Sequence, residues 1–319
     1  MSALAPSTLR AYTQRLEHIG CRWESWFNTE ENEGSDYVEF DPKTQYDSVI
    51  QFIKTLGKKP ETNKGYITAL LHATKDCPDA YKAYYAYFQT LKQTCIDNAK
   101  KQELPPSRQQ KYLTKDQLNE IYNECYGKWL ADQTDYYDHL VLALYIIQPP
   151  VRADYANMPI LSYETYHKVL HEMNEKGVGG TFTTNFCVID NQNTYDPNRN
   201  FFHFINYKTA KTYGRQMIPI YQPLWELLKH HHFKRNEAKV LPDYYTASYL
   251  AKKVPEIIAK YSGKKCSIGL IRHAWVFELY SGNPTILEKE KLARYMLHSV
   301  AVQELYRTTE AVEEMLEEN

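Results

Sequence analysis

Residues 102–110 read Gln102-Glu103-Leu104-Pro105-Pro106-Ser107-Arg108-Gln109-Gln110, and this stretch limits the possible folds more than any other. Two adjacent prolines remove two backbone donors and fix two φ angles, so neither a helix nor a central strand can run through them. A capping-box sequence follows at once, with Thr114 as cap and Gln117 three residues on, ahead of Leu118. The chain is thereby divided into an N-terminal unit, 1–103, a semi-rigid linker, 104–112, and a C-terminal unit, 113–319. At 319 residues there is enough sequence for each unit to bury its own core.

The N-terminal unit reads as all-α. Ser7 can cap a helix on which Leu9, Tyr12, Leu16, Ile19 and Trp23 recur at spacings of three and four. An acidic stretch with Asn and Gly, 28–41, reads as a loop. Val49, Phe52, Ile53 and Leu56 then mark a second helix stopped by Gly57. A third covers 62–71 with Ile67, Leu70 and Leu71, and a fourth covers 78–99 with Tyr81, Tyr84, Tyr85, Tyr87, Phe88 and Leu91. These aromatic residues could stack on bases, but a helix of this pattern uses them as core and amphipathic rim.

The C-terminal unit alternates between helix and strand signals. Leu140-Val141-Leu142-Ala143-Leu144-Tyr145-Ile146-Ile147 is apolar all round and ends against Pro149-Pro150, so it predicts a wholly buried helix. Phe186-Cys187-Val188-Ile189, Phe201-Phe202-His203-Phe204-Ile205 and Gln216-Met217-Ile218-Pro219-Ile220 predict three short strands in a small antiparallel sheet. Helical periodicity returns through Leu250, Val254, Ile257 and Ile258, then over 268–280 and 286–297. The fold class is therefore mainly α with a small sheet, an all-α unit followed by an α+β unit.

No run of eighteen apolar residues and no basic-then-apolar leader is present, so the chain reads as intracellular, with no membrane partner. Its six cysteines are scattered without a Cys-x-x-Cys pair, as expected of reduced thiols rather than a zinc ribbon or disulfide framework. His230-His231-His232 raises a metal reading, but adjacent helical side chains point about 100° apart, and the triplet reads better as a solvated helix end. The charge is balanced, 38 basic against 39 acidic residues, which counts against nucleic acid binding. Acidic residues cluster over 30–41 and 310–318, however, leaving the rest mildly basic.

Three stretches carry chemistry. Arg152 follows the buried helix at Pro150-Val151-Arg152, where a rigid element can fix its guanidinium. Lys208 and Lys211 lie in a turn, 208–214, that leads into the Ile218-Pro219-Ile220 strand. Ser267-Ile268-Gly269-Leu270-Ile271-Arg272-His273 precedes Met296-Leu297-His298-Ser299 and Tyr306. A guanidinium offers a planar fork to two phosphate oxygens, an imidazole can bond a third, and a phenol can attack phosphorus.

Together these stretches resemble the tyrosine recombinase, or phage integrase, family. Its members place an arginine after a buried helix, a lysine in a β-hairpin, then His-x-x-Arg-His, Gly-His-Ser and a tyrosine. Two positions depart from that pattern: Gly269 replaces the first histidine and Leu297 replaces the glycine before His298. Thr62-Asn63-Lys64-Gly65-Tyr66-Ile67-Thr68-Ala69-Leu70 is similar to a helix of the family's DNA-clamping domain, making Lys58, Lys59 and Lys64 candidate backbone contacts, with Lys211 and Arg215 further ones from the hairpin.

The resemblance implies a site-specific enzyme that cuts and rejoins double-stranded DNA through a 3′-phosphotyrosyl intermediate, with no cofactor and no metal. It makes Tyr306 the nucleophile, Arg152, Arg272 and His298 the stabilisers of phosphate charge, and Lys208 the general acid with Lys211 the runner-up. It also implies a homo-tetramer on DNA, in nucleus or nucleoid, joined through a C-terminal tail bearing Val312, Met315 and Leu316. Missing an imidazole at Gly269, the chain is expected to cleave slowly, with His273 or Lys265 as possible substitutes. Three other readings stay open: a type IB topoisomerase-like enzyme, a DNA-binding protein of the same fold that does not cut, and a helical protein-interaction protein with no DNA role, for which the Tyr-rich surface is the only argument.

Overall fold

The structure, a computed structural model, describes residues 6–21, 40–100, 104–175 and 183–307. It forms two compact units, Met1–Lys101 and Gln102–Asn319.

In the first unit α1 (Pro6–His18), α2 (Tyr46–Thr55), α3 (Pro60–Ala73) and α4 (Pro78–Lys100) enclose one core. Leu16, Ile19, Val49, Ile53, Ile67 and Leu70 fill it. Ile19 lies just beyond α1, because the chain turns left-handed at Gly20 with φ +66. A left-handed Gly57, φ +59, likewise ends the turn after α2, and Pro60 opens α3 where its missing N–H has no partner to lose. On α4, Tyr84 is fully buried and donates to the Pro42 carbonyl at 2.9 Å, while Tyr81 and Tyr85 stack on one another in solvent. Trp23, the 28–39 part of the acidic loop and the tail residues Val312, Met315 and Leu316 lie outside the described residues.

In the second unit the proline-rich stretch does more than link. It makes one helical turn, α5 (Pro106–Gln109), and Leu104, Tyr112 and Leu113 around it are buried in the C-terminal core. The Thr114–Gln117 capping box then opens α6 (Lys115–Leu130). Packed against it, α7 (Tyr136–Ile146) is buried along its whole length, including Asp138, whose carboxylate is paired with Lys253 at 2.7 Å and with Lys260.

The sheet has four strands in the order β1 (Ile160–Ser162), β2 (Phe186–Ile189), β3 (Phe201–Phe204), β4 (Gln216–Pro219). It is mixed rather than antiparallel: β1 pairs with β2 in parallel, Leu161 opposite Val188, because the chain returns through a helical crossover, α8 (Tyr163–Glu175). The β2–β3 and β3–β4 pairs are antiparallel. The turn between β3 and β4 contains one helical turn, α9 (Ala210–Tyr213), closed by Gly214 at φ +66.

After β4, α10 (Gln222–Lys229) runs on into a π-helical turn, His230–Lys234. Here His230 is exposed as expected, but the other two members of the triplet are anchored. His231 is buried, stacks on Tyr136 and donates from Nε2 to the Lys239 carbonyl at 2.8 Å, while His232 donates from Nδ1 to the Glu237 carbonyl at 2.8 Å. No three potential metal-ligating side chains converge among the described residues. Four more helices complete the unit: α11 (Ala247–Ser262), α12 (Ile268–Ser281), α13 (Ile286–Tyr295) and α14 (Val300–Glu304), each opened by a Ser or Thr side-chain cap. All six cysteines are free thiols, four of them buried. No helix among the described residues is long and apolar enough to cross a membrane.

Candidate active site

The site is built around Arg272 on the second turn of α12, whose first turn is fixed by Ser267 accepting from the Leu270 N–H. Arg272 is only 1% exposed, an extreme for a side chain that cannot lose its charge. Three chain segments hold its guanidinium. Nη1 donates to the Pro150 carbonyl at 2.5 Å, and Nη2 to the Met296 carbonyl at 3.1 Å and to His298 Nδ1 at 3.0 Å. Among the described residues no carboxylate is bonded to it, and Nε is buried without a partner.

That geometry fixes the tautomer of His298. Arginine only donates, so Nδ1 must accept, and the imidazole proton sits on Nε2. Burial, then the nearby charges of Arg272 and Arg152, push the imidazole down to about 3, so it stays neutral. Its Nε2–H is buried with no acceptor. An unused donor of this kind costs free energy unless something arrives to accept it.

His298 is presented by a tight turn. Leu297 before it takes a left-handed conformation, φ +56, which is unfavourable for a side chain with a Cβ and explains why glycine suits this position. Ser299 after it caps α14 through Val302. The turn is also tied to the β3–β4 connection, because Thr209 Oγ1 donates to the Leu297 carbonyl at 2.9 Å. A cleft of about 260 Å³ opens here, lined by Tyr207, Tyr213, Gln216, Arg294, Leu297 and His298.

Tyr306 follows α14, its N–H bonded to the Gln303 carbonyl at 2.8 Å. Its ring lies 5.1 Å from the Arg272 guanidinium carbon and 5.5 Å from the His298 ring. Burial pushes the phenol up, but Arg272 and Arg152 outweigh it, and the net shift is down. Two cations thus overcome desolvation, the arrangement that favours a phenolate.

Arg152 leaves the turn after α7, its carbonyl held by the fully buried Tyr145 hydroxyl at 2.9 Å. Its charge acts on Tyr306, His298 and Arg272, which puts it in the same cluster. Asp154, two residues on, is pushed up by burial against the pull of Arg152 and Arg272. Two guanidiniums against the single carboxyl of Asp154 leave the cluster with an excess of positive charge.

Arg152, Arg272, His298 and Tyr306 are brought together. Lys208 is exposed, its flanking Tyr207 bonded to the Gly214 carbonyl and its other neighbour Thr209 to Leu297. Lys211 and Arg215 are exposed on the same connection. In the N-terminal unit Lys58 and Lys59 are exposed ahead of α3, and Lys64 on α3 is half-buried. At Gly269 a Cβ would meet only Ser267 Oγ at 3.6 Å, an ordinary contact, so the helix itself does not require glycine there. Of the two candidate substitutes, Lys265 is exposed, whereas His273 is buried and touches Tyr306. The sequence did not reveal the carbonyls of Pro150 and Met296 as anchors, since a backbone acceptor has no residue signature.

No protein-family model matches the chain, and no curated protein matches its sequence. Its fold is similar to a solved structure described as a crystal structure of XerA recombinase, at a TM-score of 0.41 and 11% sequence identity, over 98% of this chain and 92% of that chain.

Proposed function

We propose that the C-terminal unit cuts and rejoins DNA strands, as a site-specific recombinase or integrase. The observation that carries this reading is the phenol of Tyr306, half-buried and yet lowered in pKa by two guanidiniums, beside a neutral imidazole whose Nε2–H has no acceptor. A phosphodiester completes each of these groups. Tyr306 Oη attacks phosphorus, its bond to phosphorus forms, and the bond to the 5′-oxygen breaks, leaving a 3′-phosphotyrosyl link and a 5′-hydroxyl.

Arg152 and Arg272 neutralise the non-bridging oxygens, the electrostatic contribution that dominates in such sites, and His298 donates from Nε2 to the same oxygens. Lys208, on the exposed β3–β4 connection, delivers the proton to the departing 5′-oxygen; a positioned general acid contributes roughly 10²–10⁴-fold. Lys211 is the second candidate for that proton, and Arg215, Lys58, Lys59 and Lys64 contact the DNA backbone. The guanidiniums supply the charge and the lysine the proton for the 5′-oxygen, while the phenolic proton of Tyr306 passes to solvent water in place of the imidazole absent at Gly269; the reading calls for no cofactor. Rejoining several strands needs more than one copy of the chain on paired DNA sites, a tetramer in the family it resembles.

The test is incubation with suicide substrates, nicked duplexes carrying candidate sites, followed by a denaturing gel. A protein–DNA adduct that Tyr306→Phe abolishes is the expected result. Salt-sensitive binding without an adduct would leave a DNA-binding protein that does not cut, the reading that Gly269 favours. Supercoil relaxation by a monomer would move the assignment to a topoisomerase-like enzyme.

A further inference from the structure

We infer that His273 is a positioning residue for Tyr306, holding it in attack geometry by clamping its backbone; the inference rests on the reading of Tyr306 as nucleophile. His273 Nδ1 donates to the Tyr306 carbonyl at 2.7 Å, and its ring meets the Tyr306 ring edge-on at 4.9 Å between centroids. One side chain therefore touches the residue twice, at its main chain and at its phenol ring. Because a carbonyl can only accept, Nδ1 carries the proton, and the neutral tautomer is set by this bond.

The placement of His273 makes the clamp specific. It directly follows Arg272 on α12, so the helix that fixes the guanidinium also fixes the phenol beside it. The carbonyl it binds lies beyond α14, a helix of only five residues, past the reach of α14's own hydrogen bonds. Other contacts tie that end of the chain to α12 through side chains: Arg307 lies over the Tyr280 ring, and Tyr306 packs against the cluster that includes Val276. Tyr280 on α12 donates to Glu304 at 2.7 Å, two residues before Tyr306. The Tyr306 N–H bonds within its own turn, to Gln303. The Tyr280 bond locates α14, and the His273 bond orients the residue after it. Burial, followed by the charges of Arg108 and Arg272, holds the imidazole neutral, down to about 4, so the clamp persists through the neutral range.

This differs from replacing the imidazole absent at Gly269. A substitute base must take the phenolic proton, whereas His273 spends its only N–H on the carbonyl and acts through orientation.

The experiment places 3-fluorotyrosine at position 306 of the full chain and compares the parent with His273→Phe and His273→Asn. Phenylalanine keeps a flat ring and removes the donor; asparagine keeps a donor at nearly the Nδ1 position. In His273→Phe the fluorine resonance should broaden, and its titration midpoint should move up as the phenol loses register with Arg272 and Arg152. On suicide substrates adduct formation should fall by roughly tenfold to a hundredfold, as a misplaced reacting group requires, with DNA binding unchanged. His273→Asn should restore the resonance and most of the rate.

An unchanged resonance and midpoint in His273→Phe would overturn the clamp, whatever the adduct assay gives. A shifted resonance restored by asparagine, in a protein whose parent forms no adduct, would uphold the clamp and sink the nucleophile reading instead.

Discussion

Leu297 sets two costs against each other, and a pair of substitutions separates them. Its backbone sits at φ +56 while its side chain is 4% exposed in the C-terminal core. Replacing it with alanine removes the buried side chain and leaves the left-handed strain, a loss of about 3 kcal/mol for a buried leucine. Replacing it with glycine removes the same side chain and also relieves the strain. Relief is worth about 1–2 kcal/mol, less about 0.5–1 kcal/mol for the greater freedom of glycine in the unfolded chain. The expected order of stability is Leu297, then Leu297→Gly, then Leu297→Ala, with the two variants about 1 kcal/mol apart. At an ordinary backbone position glycine would instead be the weaker by a similar amount. Urea unfolding followed by tryptophan emission reports on this unit through Trp129, Trp225 and Trp275. With a slope of about 2 kcal/mol/M, the midpoints of the two variants should differ by about 0.5 M. If Leu297→Ala proves as stable as Leu297→Gly, or more so, the left-handed turn ahead of His298 is not where the strain lies.

Arg152→Gln and Arg272→Gln should each raise the phenolic pKa of Tyr306, because burial alone pushes it up; ultraviolet difference titration against Tyr306→Phe measures this, and an unmoved midpoint in both variants would contradict the cluster. Acid should destabilise the chain through its buried histidines: His139 and His203 fall to about 4 from 6.5 when folded. Their stabilisation is complete above pH 6.5 and is lost as pH falls towards 4, at roughly 1.4 kcal/mol per pH unit for each, so unfolding midpoints measured from pH 7 to 4 should drop and His139→Gln should flatten the slope. Gly269→His adds an imidazole where the first turn of α12 does not require glycine, and adduct formation should rise by about 10²-fold if a missing base limits cleavage; no gain would show that another group already takes the phenolic proton.

Helices were legible in the sequence because their apolar period and caps are local. Thr114 with Gln117 caps as predicted, whereas Ser7, expected to cap, lies inside α1, which already includes Pro6. Strand β1 was not legible: three residues after Pro159 are too few to show alternation, and its parallel partner lies across a crossover that only tertiary structure reveals. The histidine triplet misled because its middle member continues the buried stripe of Leu224 and Leu228, at helical spacings of four and three, so His231 faces inward. At the site, residue types and order were enough to single out Arg152, Arg272, His298 and Tyr306. What holds them was hidden, because the anchors are the carbonyls of Pro150, Met296 and Tyr306. The left-handed turn was hidden too, by a leucine standing where its conformation asks for glycine.

The near-complete burial of Arg272 has a consequence for the whole unit. A cation removed from water with two carbonyls and an imidazole for company, and no carboxylate bonded to it among the described residues, is left short of negative charge. Whatever anion supplies that charge binds the native state and not the unfolded chain, so by linkage it tightens the fold as it binds. On the proposed reading that anion is the phosphate of the target, which then acts as the last member of the core, so that occupancy and rigidity of the unit rise together.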